Sequence, residues 1–202
     1  MQARHTEISG AIEFTPPVFP DHRGLFVAPF QQDPFTGAVG HHMPLAQVNN
    51  SVSNRGVIRG IHFADVPPGQ AKYVYCARGS LLDVIVDVRT GSPTFGQWEA
   101  IRLDAERYNA VYLAEGLGHA FTALDDNTVM IYLCSTPYNP PAEHAVTPFD
   151  PELALPWDEL DADPILSEKD QHAPTLAEAA AAGTLPAYQD CLEHYERLRS
   201  AG

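Results

Sequence analysis

The sequence predicts an all-β domain, a sandwich or barrel, followed by a short helical tail. Three observations point there. Leu82, Val84, Val86 and Val88 alternate with Leu81, Asp83, Ile85 and Asp87, the period-two pattern of a strand with one firmly apolar face. From Ala11 to about Pro148, short apolar or alternating runs recur between Gly, Pro, Asn and Asp. Many short strands with such turn signals indicate a two-sheet or closed arrangement, for which jelly-roll closure is a common solution. After Pro174 the chain changes character and becomes rich in helix formers.

In chain order, Leu45–Ser53 and Val57–Phe63 are the first strand candidates. Lys72–Ala77 precedes the alternating run across Arg78-Gly79-Ser80, which reads as a hairpin. Phe95–Leu103, Ala110–Leu113, Ala120–Leu124 and Thr128–Ser135 follow, and the 18 prolines suit loops and edges. Thr175, Glu178 and the alanines 179–182 predict a capped helix that stops at Gly183. A second helix, about Ala187–Arg199, places Tyr188, Leu192, Tyr195 and Leu198 at helical spacing. The expectation is one domain over 1–202, with the β part at about 11–148 and the helices at about 174–200.

A chain of 202 residues, 45% of them hydrophobic, can bury a sizeable core, which excludes wholesale disorder. Its net charge of −14 argues against nucleic acid as a partner, though a local basic pocket could still hold a small phosphorylated ligand. Cys76, Cys134 and Cys191 lie far apart with no CxxC pair. That argues against a disulfide scaffold or zinc site and suits a reducing compartment. No apolar run approaches the ~20 residues of a membrane helix, and the N-terminus has no signal core. A cytoplasmic protein with no membrane partner is expected.

The densest polar cluster is Gln47-Val-Asn49-Asn50-Ser51, then Arg59-Gly-Ile-His62, then Gln70-Ala-Lys72. Alternation puts Gln47 and Asn49 on one face, and Gln70 and Lys72 on one face. Singly, such residues usually face water; together they suit the lining of a polar cavity, because buried polar groups need partners. His62 is a plausible general base, imidazole having an ordinary pKa of about 6.5. Tyr132, on one face with Met130 and Cys134, could pack in the core with one hydrogen bond. Asp170, in Ser167-Glu-Lys-Asp, reads equally well as a surface loop residue.

The order of these pieces resembles the dTDP-4-dehydrorhamnose 3,5-epimerase family. The matching stretches are Asp21-His-Arg23-Gly-Leu-Phe26, Gln47-Val-Asn49, Gly56-Val-Ile-Arg59-Gly-Ile-His62-Phe, and Pro68-Gly-Gln-Ala-Lys72-Tyr. Further matches are Asp83–Asp87, Gly91-Ser-Pro-Thr-Phe-Gly, Glu115-Gly-Leu-Gly-His119, Tyr132-Leu-Cys-Ser with Tyr138, and Ser167-Glu-Lys-Asp170. The resemblance implies a cupin-type jelly roll, a homodimer that exchanges N-terminal segments, a dTDP-4-keto-6-deoxyhexose substrate, and no metal or organic cofactor. It implies His62 as base, Asp170 as its orienting carboxylate, Tyr132 as proton donor on the opposite sugar face, and Lys72 at the enolate oxygen. Arg23, Phe26, Gln47, Asn49, Arg59, His119 and Glu143 match nucleotide or sugar contacts, and Tyr138 matches a ring stacked near thymine.

Two departures stand out. Where family members commonly carry a glutamate, this chain has Ala28, which implies looser or rebuilt base recognition. Strict alternation also places Arg59 and His62 on opposite faces, so both reach one pocket only if the strand is distorted, with Gly60 the natural place for a bulge. The start of the chain looks closer to epimerases of antibiotic deoxysugar pathways, some of which invert only C5 or only C3. Two rival readings remain: a metal-dependent cupin oxygenase, weakened because Ala64 stands where a second histidine would complete His-x-His, and a non-catalytic sugar-nucleotide binding module.

Overall fold

A computed structural model describes residues 1–157, 160 and 162–201. In chain order come strands β1 (Gln2–His5), β2 (Ala11–Thr15), β3 (Val18–Asp21) and β4 (Gly24–Val27), helix α1 (Gln32–Val39), then β5 (Gln47–Ser53) and β6 (Ile58–Ala64). A run of strands follows: β7 (Lys72–Arg78), β8 (Ser80–Val86), β9 (Trp98–Asp104), β10 (Ala110–Leu113), β11 (Gly118–Ala123), β12 (Thr128–Cys134) and β13 (Glu143–Ala145). Helices α2 (Glu168–Gln171), α3 (Leu176–Ala181) and α4 (Tyr188–Ala201) close the chain.

The strands form a jelly roll of two antiparallel sheets, ordered β1-β2-β10-β7-β12-β5 and β13-β6-β11-β8-β9, plus a separate β3-β4 ribbon. Between the sheets lie Val74, Cys76, Leu81, Ile85, Leu103, Val111 and Met130. The outer face of the smaller sheet is covered by Leu153, Leu155, Trp157, Leu176 and Leu185. The outer face of the larger sheet packs on Phe35 of α1 and on Cys191 and Tyr195 of α4. Sheets covered on both faces have no solvent side, so β8 is buried at every position rather than on one face only.

Most predicted strands lie within a few residues of their observed ends, and Thr175 and Glu178 form a reciprocal capping box at the start of α3. Four of the elements lacked a legible signal. β1 is exposed along its whole length, so no apolar alternation marks it. The β3-β4 ribbon is exposed at six of its eight positions, and α1 contains Pro34 and Gly37 and buries only Phe35. Gln70 precedes β7 instead of continuing its face; its amide donates to the Thr136 carbonyl at 2.9 Å. Among the described residues no helix is long and apolar enough to cross a membrane.

The distortion expected at Gly60 is present. In the β6–β11 pairing, His119 faces His62 but Phe121 faces Arg59, so three steps on β6 oppose two on β11. That is one extra residue, a bulge. Gly60 has φ +106°, and a Cβ there would lie 2.3 Å from the His119 carbonyl oxygen, so the position accepts only glycine. The extra residue is what lets Arg59 and His62 line the same cavity.

Candidate active site

A cavity of about 570 Å³ opens into the barrel, walled by β5, β6, β7, β11 and β12 and closed on one side by residues 165–170. His62, on β6, has its Nε2 2.7 Å from Asp170 Oδ1. Asp170 is held in turn by its place on α2, whose N-cap Ser167 accepts a hydrogen bond from the Asp170 amide. The carboxylate is only 2% exposed. Burial pushes its pKa up, but hydrogen bonding and charge from His62, with donors from Ser167 and the Gly60 amide, outweigh that and hold it below the usual carboxylate range. One residue of a four-residue helix thus fixes the imidazole and the bulge together.

A second imidazole sits beside the first. His119 is the cross-strand partner of His62, and its Nε2 lies 2.6 Å from Asp83 Oδ2 at the centre of β8. Both groups are buried, and Asp83 Oδ1 has no hydrogen-bond partner. On the opposite sheet, the Tyr132 ring packs edge-on to His119 at 6.1 Å between centroids, and its hydroxyl lies 3.3 Å from Ser51 Oγ. Burial pushes the Tyr132 pKa up to about 12, so the phenol keeps its proton at neutral pH. Lys72, at the start of β7, also lines the cavity. Burial draws its pKa below the ordinary lysine value, against the opposing pull of Glu143, Cys134 and Asp83. Arg59 and Lys169 join Lys72 on the walls. A chain with a net charge of −14 has gathered three of its 12 lysines and arginines around one cavity, which suits an anionic ligand.

His62, Tyr132, Asp170, Lys72, Asn49, Arg59, His119, Tyr138 and Glu143, all singled out from sequence, line this cavity. Gln47 stands behind it, donating to Asn49 Oδ1 at 2.6 Å and accepting from the Tyr138 amide at 3.0 Å. Arg23 and Phe26 do not line it. They lie on the exposed β3-β4 ribbon, where Arg23 pairs with Asp21 and Phe26 is 68% exposed. Among the described residues the ribbon's strands pair with each other and join neither sheet. Asp83 and Lys169 escaped the sequence reading as site residues. Asp83 had a signal: a carboxylate inside an otherwise apolar strand must find a partner. Lys169 had none. Among the described residues no group of three or more His, Cys, Asp or Glu side chains is placed to hold a metal ion.

Residues 5–178 match the family model described as dTDP-4-dehydrorhamnose 3,5-epimerase. The chain is 53% identical to the dTDP-4-dehydrorhamnose 3,5-epimerase of Mycolicibacterium smegmatis, over 98% of each chain. It is 51% identical to a dTDP-4-dehydro-6-deoxyglucose 3-epimerase of Streptomyces bikiniensis, over 95% of this chain and 97% of that one. Among solved structures it superposes on a 3'-monoepimerase from Streptomyces bikiniensis in complex with dTDP-quinovose, with a TM-score of 0.93 and 50% identity over 96% of this chain and 98% of that one. An epimerase of Mycobacterium tuberculosis superposes with a TM-score of 0.96 and 45% identity over 98% of this chain and 100% of that one.

Proposed function

The chain belongs to the dTDP-4-dehydrorhamnose 3,5-epimerase family, and from that premise we propose that it epimerises a dTDP-4-keto-6-deoxyhexose without a cofactor, inverting C3 at least. The observation that carries the reading is the pairing of two opposed groups in one cavity: a carboxylate-held imidazole on one sheet and a buried, protonated phenol on the other. His62 takes the proton from a carbon next to the C4 ketone. The electron pair of that C–H bond moves onto the ketone oxygen, where the Lys72 ammonium stabilises the enolate. Tyr132 delivers a proton to the other face of the carbon, and the configuration is inverted. A phenol whose pKa is near 12 is still an acid at neutral pH, as this step requires. C3 is the position shared by the names of the relatives cited above, whereas C5 is common only to some.

The rival readings draw less support. His62 and His119 each commit Nε2 to a carboxylate, an arrangement that serves proton transfer better than joint metal ligation. A binding module would have no use for the opposed acid and base. The test is incubation with dTDP-4-keto-6-deoxyglucose in heavy water, read by NMR. Deuterium enters C3 with inversion; entry at C5 as well marks a double epimerase. Tyr132→Phe keeps exchange but loses most of the inversion. No exchange above background with the native chain sinks the proposal.

Arg23 and Phe26 fit the same function through a homodimer. The β3-β4 ribbon exposes Phe19, Leu25 and Phe26, and edge strand β5 exposes Val48 and Val52 beside the cavity. A second copy that lays its ribbon there covers both apolar surfaces and brings Arg23 to the pyrophosphate, for which the guanidinium fork is suited. Sedimentation should give twice the chain's 22.1 kDa, and Arg23→Ala should raise KM by roughly 10- to 150-fold, one charge-assisted contact contributing roughly 1.5–3 kcal/mol. A monomer of full activity refutes this arrangement.

A further inference from the structure

A second cavity lies on the far side of the larger sheet. It measures about 190 Å³ and shares no lining residue with the first. Its walls come from the 5–12 segment, the end of α1, β10 and α4, with Ile8, Ile12, Val39 and Ala114 supplying apolar surface. Its polar groups are unusual. Tyr112 is 1% exposed, lines the cavity, and its hydroxyl has no hydrogen-bond partner among the described residues. Buried hydroxyls are ordinarily satisfied, so this one calls for an explanation. His41, 5% exposed, commits Nδ1 to the His42 carbonyl at 2.9 Å, which leaves Nε2 as its remaining polar atom. Arg199 reaches the cavity across Gly40, where an added Cβ would meet its side chain at 3.5–3.7 Å. Its charge bears on the Tyr112 hydroxyl, though less strongly than that of the Glu115 carboxylate, which stands outside the lining. Of the other lining hydroxyls, that of Tyr195 donates to the Glu115 carbonyl and that of Thr6 to the Ile8 carbonyl at 3.0 Å.

We propose that this cavity is a binding site for a small aliphatic monocarboxylate, held at its charged end by Arg199 and the Tyr112 hydroxyl and at its tail by the apolar wall. The cavity has a third of the volume of the first one, too little for a nucleotide sugar. A guanidinium and a phenol supply donors, and among the described residues the lining includes no Asp or Glu, which suits an oxyanion. The apolar remainder distinguishes a short-chain carboxylate from phosphate. Tyr112 is also the cross-strand partner of Tyr73, next in sequence to Lys72, so an occupant would sit behind the strand that carries that lysine.

The test is saturation-transfer NMR with butyrate in the presence of saturating dTDP, whose own signal reports separately that the first cavity is filled. Butyrate transfer persists with dTDP bound, weakens at least tenfold in Arg199→Gln, and falls in Tyr112→Phe. Tyr112→Phe is a safe second variant, because it removes a hydroxyl that nothing in the fold satisfies. Displacement of butyrate by dTDP, equal transfer in Arg199→Gln, or binding of inorganic phosphate but not butyrate would overturn the proposal. So would the absence of transfer at millimolar butyrate.

Discussion

His62→Asn lowers kcat by about 10²–10⁴-fold, the range that a positioned acid–base group supplies, and abolishes deuterium entry at the inverted carbon. Asparagine keeps much of the shape of imidazole and can still hydrogen-bond to Asp170, so the thermal midpoint and dTDP binding should barely move. That separates loss of the base from loss of the fold. Asp170→Asn acts through His62 and causes a smaller loss. The carboxylate is held below the usual range, once burial is outweighed by its donors, so it stays ionised and supports a charged imidazole well into mild acid. Its contribution is present above the ordinary carboxylate pKa and is lost only as pH falls through the depressed value. Replacing it should therefore reshape the acid limb of the kcat profile, which a purely structural role would not do. An His62→Asn enzyme within tenfold of native activity would remove the imidazole from the mechanism.

The largest stability effect is expected at Arg89, far from that chemistry. Arg89 and Asp87 are both fully buried, paired at 2.8 Å. The guanidinium also donates to the Ser9 carbonyl at 2.9 Å, reaches the Tyr195 hydroxyl at 3.3 Å and lies 5.0 Å above the Tyr188 ring. One side chain thus fastens the N-terminal segment and α4 to the end of β8. Arg89→Met leaves the Asp87 carboxylate buried without its cation. Removing one partner of a buried pair typically destabilises by about 3–5 kcal/mol, a fall in the thermal midpoint on the order of 10 °C for a chain of this size. Asp87→Asn in the same chain should recover part of the loss, since it removes the stranded charge. Burial raises the Asp87 pKa, but Arg89, Ser92 and Thr94 outweigh it and hold the carboxylate below its usual range. The pair therefore persists in mild acid and fails only as pH drops through that lowered value. Chemical denaturation with a loss under 1 kcal/mol would contradict this account.

Arg89 also marks where reading by pattern stops. Local alternation identifies β8 but cannot say that both of its faces are covered, because the segments over its outer face, from Leu153 to Leu185, lie about 70 to 100 residues downstream. Asp83 and Asp87 therefore look like the wet face of a half-buried strand, yet one holds His119 and the other holds Arg89. From its own neighbourhood Asp170 looked like a loop residue; the family resemblance named it as the partner of His62, and the packing of a one-turn helix against β6 is what brings the two together. The site was more legible than its supports, since polar residues at cavity-facing positions interrupt apolar strands and stand out, whereas a lysine on a one-turn helix such as Lys169 does not.

By itself the sequence determined most of the central strands, the last two helices, the family, the acid–base candidates and even the bulge, because alternation, caps and a glycine between two site residues are local signals. Tertiary structure alone decided that Asp83 serves His119 and Asp87 serves Arg89, and that the ribbon bearing Arg23 and Phe26 stands outside its own chain's cavity. Those outcomes depend on contacts between residues distant in sequence, whose energies are set by burial and geometry, and a periodicity carries no record of either.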